Sequence, residues 1–125
     1  MNPLVIRTDE VQEYYTAERC HILELSNTPR DDALSVARAR VEPGVTTAFH
    51  RVKDTVERYV ILSGSGRVNV EGMPEEDVSA GDVVLIPPNA RQRIHNTGSV
   101  DLVFLALCTP RFRPNHYIHD ESESA

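Results

Sequence analysis

The stretch GVTTAFHRVKDTVERYVILSG, Gly44 to Gly64, has a glycine at each end, one histidine, one glutamate and two runs of strand-forming residues. Side chains alternate across a strand, so His50 and Val52 share one side of the first run, with Phe49 on the other. In the second run, VERYVIL, rich in β-branched and aromatic residues, Glu57, Tyr59 and Ile61 share a side. Thirty-seven residues after Gly44 begins GDVVLIPPNARQRIHN, Gly81 to Asn96. There Gln92 and Ile94 have the same parity, and Arg93 and His95 point the opposite way. Alternation predicts His95 at the surface.

The segments around these two stretches are of the same kind. Leu34 to Val41 (LSVARARV) alternates and closes on the turn Glu42-Pro43-Gly44. RVNV (Arg67 to Val70) follows the glycine-rich Ser63 to Gly66, and EGMPEED (Glu71 to Asp77) reads as a loop or hairpin end. Val78 to Asp82 is a turn into Val83 to Ile86, which Pro87-Pro88-Asn89 stops. Gln92 to His95 is a short strand, and Leu102 to Cys108 is a near-continuous apolar run suited to a buried one. Short strands at roughly ten-residue spacing between Gly and Pro punctuation predict an all-β sandwich or barrel. Before it, Asp9 to Arg19 reads as a short helix and HILELS (His21 to Ser26) as a strand. The organisation expected is an N-terminal extension of short helix and/or strand over 1–30, a barrel over 31–112 and a polar tail over 113–125, solvated or packed over the barrel mouth or on a partner.

The first stretch resembles the first cupin motif, in which Gly44, His50, Glu57 and Gly64 take family positions. The second resembles the second cupin motif at Gly81, Pro87 and Asn96. The resemblance implies a single-domain double-stranded β-helix, a small jelly-roll-type barrel, with His50, Glu57 and Gln92 converging inside it. Tyr59, Val52, Ile61 and Ile94 would then be its apolar walls. Three departures accompany it. Val52 stands where the family has a second histidine, Gln92 where it has the motif-two histidine, and Asn89 where it has a glycine. Asn is the mildest of these changes, because its side chain tolerates left-handed backbone geometry. A family ligand set of three histidines and a glutamate is thereby reduced to His50, Glu57 and Gln92, the last a weaker amide donor.

Composition narrows the classes of function. The 125 residues suit one domain. Hydrophobic residues at 40% with charged residues at 26% exclude a disordered chain. A net charge of −6 argues against nucleic-acid binding, which needs a basic face. The cationic residues are all arginine except Lys53, which suits oriented pairing with carboxylates. Cys20 and Cys108 lack the spacing of a zinc site or disulfide framework and read as small buried hydrophobes in a reducing compartment. The N-terminus lacks a basic and apolar leader, and no apolar run is long enough for a bilayer. A cytoplasmic protein without membrane contact is expected. There is no GxGxxG, P-loop, GxSxG or HExxH pattern.

Three functions follow from the resemblance. The first is an enzyme acting on a small oxygenated organic acid or ketone, of dioxygenase, isomerase or lyase type. A divalent metal (Fe, Mn, Ni or Zn) would be held by His50, Glu57 and Gln92, with Tyr59 as a neighbouring donor. The second is metal-free acid–base catalysis of epimerase or isomerase type by His50 with Glu57. The third is a binding module without turnover. A buried Glu57 needs a partner, for which His50, a metal, Arg38 and Arg40 are the candidates. Arg38 and Arg40 lie on one strand face, as a carboxylate anchor for substrate or as ordinary surface ion pairs. His116 and His119 are spaced as ligands only if the tail is helical. An exposed sheet edge and apolar outer surface predict a homodimer.

Overall fold

The computed structural model describes residues 1–121. Eleven strands appear in the order β1 (Tyr14–Tyr15), β2 (His21–Ser26), β3 (Ser35–Val41), β4 (His50–Val52), β5 (Val56–Ser63), β6 (Ser65–Val70), β7 (Glu76–Ser79), β8 (Val83–Ile86), β9 (Gln92–Asn96), β10 (Leu102–Thr109) and β11 (Tyr117–His119). They form two antiparallel sheets, ordered β1-β2-β3-β10-β5-β8 and β11-β4-β9-β6-β7. This is the expected all-β jelly-roll-type barrel. No helix among the described residues is long and apolar enough to cross a membrane.

The motif glycines sit where their backbone geometry is needed. Gly64 has φ +87°, and a Cβ there would approach the Asp101 carbonyl oxygen to 2.7 Å. That close approach lets β5 turn into β6 beside the start of β10. Asn89, in place of the family glycine, also has positive φ (67°), and its side-chain oxygen accepts from the Asp54 amide at 3.2 Å. Asn96 is wholly buried. Its Nδ2 donates to the carbonyls of Val41 and Val100, both at 2.8 Å, while its Oδ1 accepts from Gly98 N at 2.8 Å. One side chain thus ties β9 to the ends of β3 and the turn before β10.

Inward parity is as the alternation predicts. Tyr59, Ile61, Val68, Val70, Ile86, Ile94, Leu102 and Phe104 pack as one apolar cluster in the barrel. Phe49 points outward beneath the guanidinium groups of Arg91 and Arg93, 3.7 and 4.0 Å from its ring centre.

Two expectations need correction, and two left open are filled in. Asp9 to Arg19 is not a helix. Only Glu10–Gln12 makes a 3-10 turn, and Tyr14–Tyr15 pairs with β2. The loop expected through Asp77 and the turn from Val78 instead contain β7, because Glu76 to Ser79 pairs with β6. Residues 1–30 are not merely an extension, since β1 and β2 complete the edge of the six-stranded sheet. The tail is not merely solvated, since β11 lies antiparallel to β4 with His119 opposite His50 and Tyr117 opposite Val52. Cross-strand hydrogen bonding captured segments whose own sequences carry weak strand signals. Ser122 to Ala125, the end of that tail, lie outside the described residues.

Candidate functional site

The core cluster fills only part of the barrel. Beyond it lies a cavity of about 550 Å³ whose lining includes Glu18, Ile22, Glu24, His50, Val52, Glu57, Phe112, Tyr117 and His119. The register explains the space. Ala37 stands opposite Ala106, and Ser35 opposite Cys108, on neighbouring strands β3 and β10. Four small side chains in one patch of sheet leave a floor where Leu or Phe would have closed the interior. Burial raises the Cys108 thiol above its ordinary pKa, as befits a small packed group rather than a reactive thiolate.

His50 is set into the cavity wall from β4 and is buried. Its Nδ1 lies 3.0 Å from the Ala48 carbonyl oxygen and 3.5 Å from Glu18 Oε2. A carbonyl only accepts, so Nδ1 carries hydrogen, and the lone pair of a neutral ring falls on Nε2. The ring stacks on Tyr117, with centroids 5.1 Å apart and planes 18° from parallel. Burial, followed by the Glu18 carboxylate, pushes the Tyr117 hydroxyl above its ordinary pKa. The N-terminal segment and the C-terminal strand therefore both bear on His50.

Glu57 opens from β5 into the same cavity. Its Oε1 accepts from Gln92 Nε2 at 3.0 Å. Burial pushes its carboxyl upward from the usual range, while His50 and the Gln92 hydrogen bond oppose that shift. Behind it, the Tyr59 hydroxyl donates to Gln92 Oε1, and Tyr59 packs on Phe104 with ring centroids 4.4 Å apart. The order Tyr59, Gln92, Glu57 is a buried relay of fixed donors and acceptors.

The structure thus brings His50 and Glu57 together at the cavity and places Tyr59 and Gln92 outside its lining. Gln92, the expected metal donor and substrate contact, has its oxygen engaged by Tyr59 and its nitrogen by Glu57. Tyr59, expected as a catalytic donor, lies behind the lining and donates its hydroxyl proton to Gln92. Arg38 and Arg40, the expected substrate anchors, likewise lie outside the cavity lining. The core side of β3 is held by Ala39 and Val41, so the two arginines face outward. Arg38 binds Glu10 through two nitrogens, at 3.0 and 2.6 Å. Arg40 reaches Glu13 at 2.8 Å and Asp101 at 3.1 Å. They pin the N-terminal segment to the sheet, with Leu23 buried on the same face. His95 instead meets the Thr46 hydroxyl at 2.7 Å.

The donor set does not suit a metal as it stands. Val52 offers no ligand atom, Gln92 Oε1 is engaged, and no group of three His, Cys, Asp or Glu among the described residues is placed to share an ion. Two cavity residues that bear on His50, Glu18 and Tyr117, were not legible as site residues. Glu18 lies in an irregular segment and Tyr117 in a tail with no strand pattern. Glu24 could have been found, since alternation in HILELS puts it on the side of Ile22.

Comparisons with known proteins agree with this architecture. Residues 37–108 match the cupin domain family. The chain is 32% identical over 123 residues to the uncharacterized protein MJ1618 of Methanocaldococcus jannaschii, covering 95% of this chain and 94% of that one. It is 32% identical over 90 residues to an oxalate-binding protein of Thermotoga maritima, covering 72% and 73% of the two chains. Among solved structures, a predicted oxalate decarboxylase from Thermotoga maritima superposes with TM-score 0.75 and 26% identity, over 86% of this chain and 99% of that one. The nucleoside dehydratase Pac13 shares the fold alone, with TM-score 0.75 and 18% identity over 96% and 98% of the two chains. With both motifs, the barrel and the family match over most of its length, this chain belongs to the cupin family.

Proposed function

We propose that the cavity binds a small organic molecule bearing a hydroxyl or carbonyl group and that His50 and Glu57 move protons on it. The observation that carries this reading is the setting of His50, with Nδ1 engaged by Ala48 and flanked by Glu18 while the ring borders the cavity. Nε2 accepts a proton from a ligand C–H or O–H, and the imidazolium that forms is stabilised by Glu18 and the Ala48 carbonyl. Glu57 is the complementary acid. Burial favours its neutral form, and because Oε1 accepts from Gln92, the acidic proton resides on Oε2. That proton goes to the ligand oxygen on which negative charge develops. Two groups with different environments thus take opposite roles. The oxalate-binding relative supports capture of small molecules in this fold.

The experiment is hydrogen–deuterium exchange. Chelator-treated protein is incubated in D₂O with a panel of small ketones and hydroxy compounds, and C–H loss is followed by NMR. Catalysed exchange that disappears in His50→Gln and persists under chelation is expected. Exchange that occurs only after loading with Fe, Mn, Ni or Zn would assign the site to a metal instead. Saturable binding without exchange would make it a binding module.

A further inference from the structure

The chain has 13 Lys and Arg residues, yet none of them lines the cavity, whereas Glu18, Glu24 and Glu57 all do. Elsewhere carboxylates are met by arginine: Glu10 by Arg38, Glu13 by Arg40, Glu71 by Arg51 and Glu121 by Arg19. Among the described residues, no Lys or Arg forms an ion pair with the three cavity carboxylates. With Glu57 neutral, a free carboxylate or phosphate ligand would still meet Glu18 and Glu24 and find no Lys or Arg in the lining to receive it.

The three carboxylates do not form one cluster. Glu24 on β2 stands opposite Ala37, which stands opposite Ala106, which stands opposite Tyr59 on β5. At about 4.8 Å per strand, three spacings separate Glu24 from the strand that carries Glu57, or about 14 Å of backbone. Between them lies the small-residue floor. Glu24 is exposed, at the mouth, whereas Glu57 and His50 are buried within. The mouth also presents aromatic surface from Tyr14, half exposed, and from Phe112 and Tyr117. Aromatic faces beside a carboxylate attract an organic cation. Inside, the His50 side chain is only 6% exposed, and no protein hydrogen bond to its Nε2 is made among the described residues.

We propose that the cavity takes an elongated ligand carrying a protonated amine, with the ammonium at Glu24 and the aromatic rim and the oxygenated end at His50 and Glu57. This rests on the reading of the cavity as the ligand site and adds the charge of the ligand. It predicts discrimination against free mono- and dicarboxylates.

Three probes of matched size separate the charges: 2-phenylethylamine, 2-phenylethanol and phenylacetate, each titrated calorimetrically into the full chain near neutral pH at low salt. The amine should bind at least about tenfold more tightly than the alcohol, and phenylacetate more weakly than either. In Glu24→Gln the amine should lose about fivefold in affinity while the alcohol is unchanged, and added salt should weaken the amine alone. Phenylacetate binding as well as the amine, equal binding of all three, no saturable amine binding, or an unchanged amine affinity in Glu24→Gln would each overturn the proposal. His50-dependent exchange on a carboxylate substrate would overturn the amine preference and leave the proton-transfer reading standing.

Discussion

Gln92 turns its amide nitrogen toward Glu57, 3.0 Å from Oε1, and the Tyr59 hydroxyl holds it in that sense from the other side. Tyr59 and Glu57 are two residues apart on β5, on one face, so a single strand supplies both the clamp and the group it positions. Tyr59→Phe frees the amide oxygen in a buried place. It should cost about 1–2 kcal/mol of stability by urea unfolding and lower exchange activity less than Glu57→Gln does. An equal loss of activity in the two variants would place Tyr59 in contact with the ligand.

Glu57 makes the pH dependence of stability testable. Its folded-state pKa is raised by burial, so its contribution is fully favourable below the unfolded value and is lost as pH rises through the folded value. Glu57→Gln mimics the neutral form. Thermal unfolding should show the variant more stable than the parent above neutral pH, with the gap closing near pH 4. A variant less stable at every pH would mean that the charged carboxylate is the form the fold prefers.

The ligand positions held by Val52 and Gln92 can be refilled. Val52 is buried and faces the cavity beside His50, so Val52→His with Gln92→His would restore the family donors around His50 and Glu57. Mass spectrometry of metal-loaded, desalted protein should find about one equivalent of divalent metal per chain in the double variant, and at least about tenfold less in the parent. Stoichiometric metal in the parent would show that Gln92 exchanges Tyr59 for an ion.

Asn96 is a structural test of the second motif. Replacing it by Ala leaves the Val41 carbonyl without its partner in a buried place and the Val100 carbonyl and Gly98 amide without theirs in partly buried ones, at a cost of about 2–3 kcal/mol. Asn69→Ala, at a half-buried site whose side chain bonds only Glu75 and Arg93 near the surface, should cost no more than about 1 kcal/mol. Chemical denaturation of the two variants checks the contrast.

A last expectation concerns association. β8 is an edge strand, with Leu85 69% exposed and Val83 and Leu62 about half exposed on the outer face. A second copy of this chain is proposed to cover that face, as an open apolar edge invites pairing. Light scattering should give twice 14.0 kDa, and Leu85→Glu should return the single-chain mass. A monomeric parent would remove the proposal.

Much of this protein is written locally. The alternation of His50 with Val52, of Glu57 with Tyr59 and Ile61, and of Gln92 with Ile94 determined which side chains point inward, because side-chain direction in a strand depends only on parity. The motif spacing determined the barrel, and positive φ at Gly64 and Asn89 follows from residue type. What parity cannot say is whom an inward or outward side chain meets. That Gln92 is taken by Tyr59, that Arg38 and Arg40 hold Glu10 and Glu13 rather than a ligand, and that Glu18 comes within 3.5 Å of His50 depend on strands brought together from distant parts of the chain. The same holds for β7 and β11, whose hydrogen-bonding partners are other strands and whose own runs, EDVS and YIH, are too short or too polar to declare a strand alone. Inward direction was a property of sequence. The cavity, its missing cations and the partner of each polar group came from tertiary structure, because long-range strand pairing places residues that sequence keeps far apart.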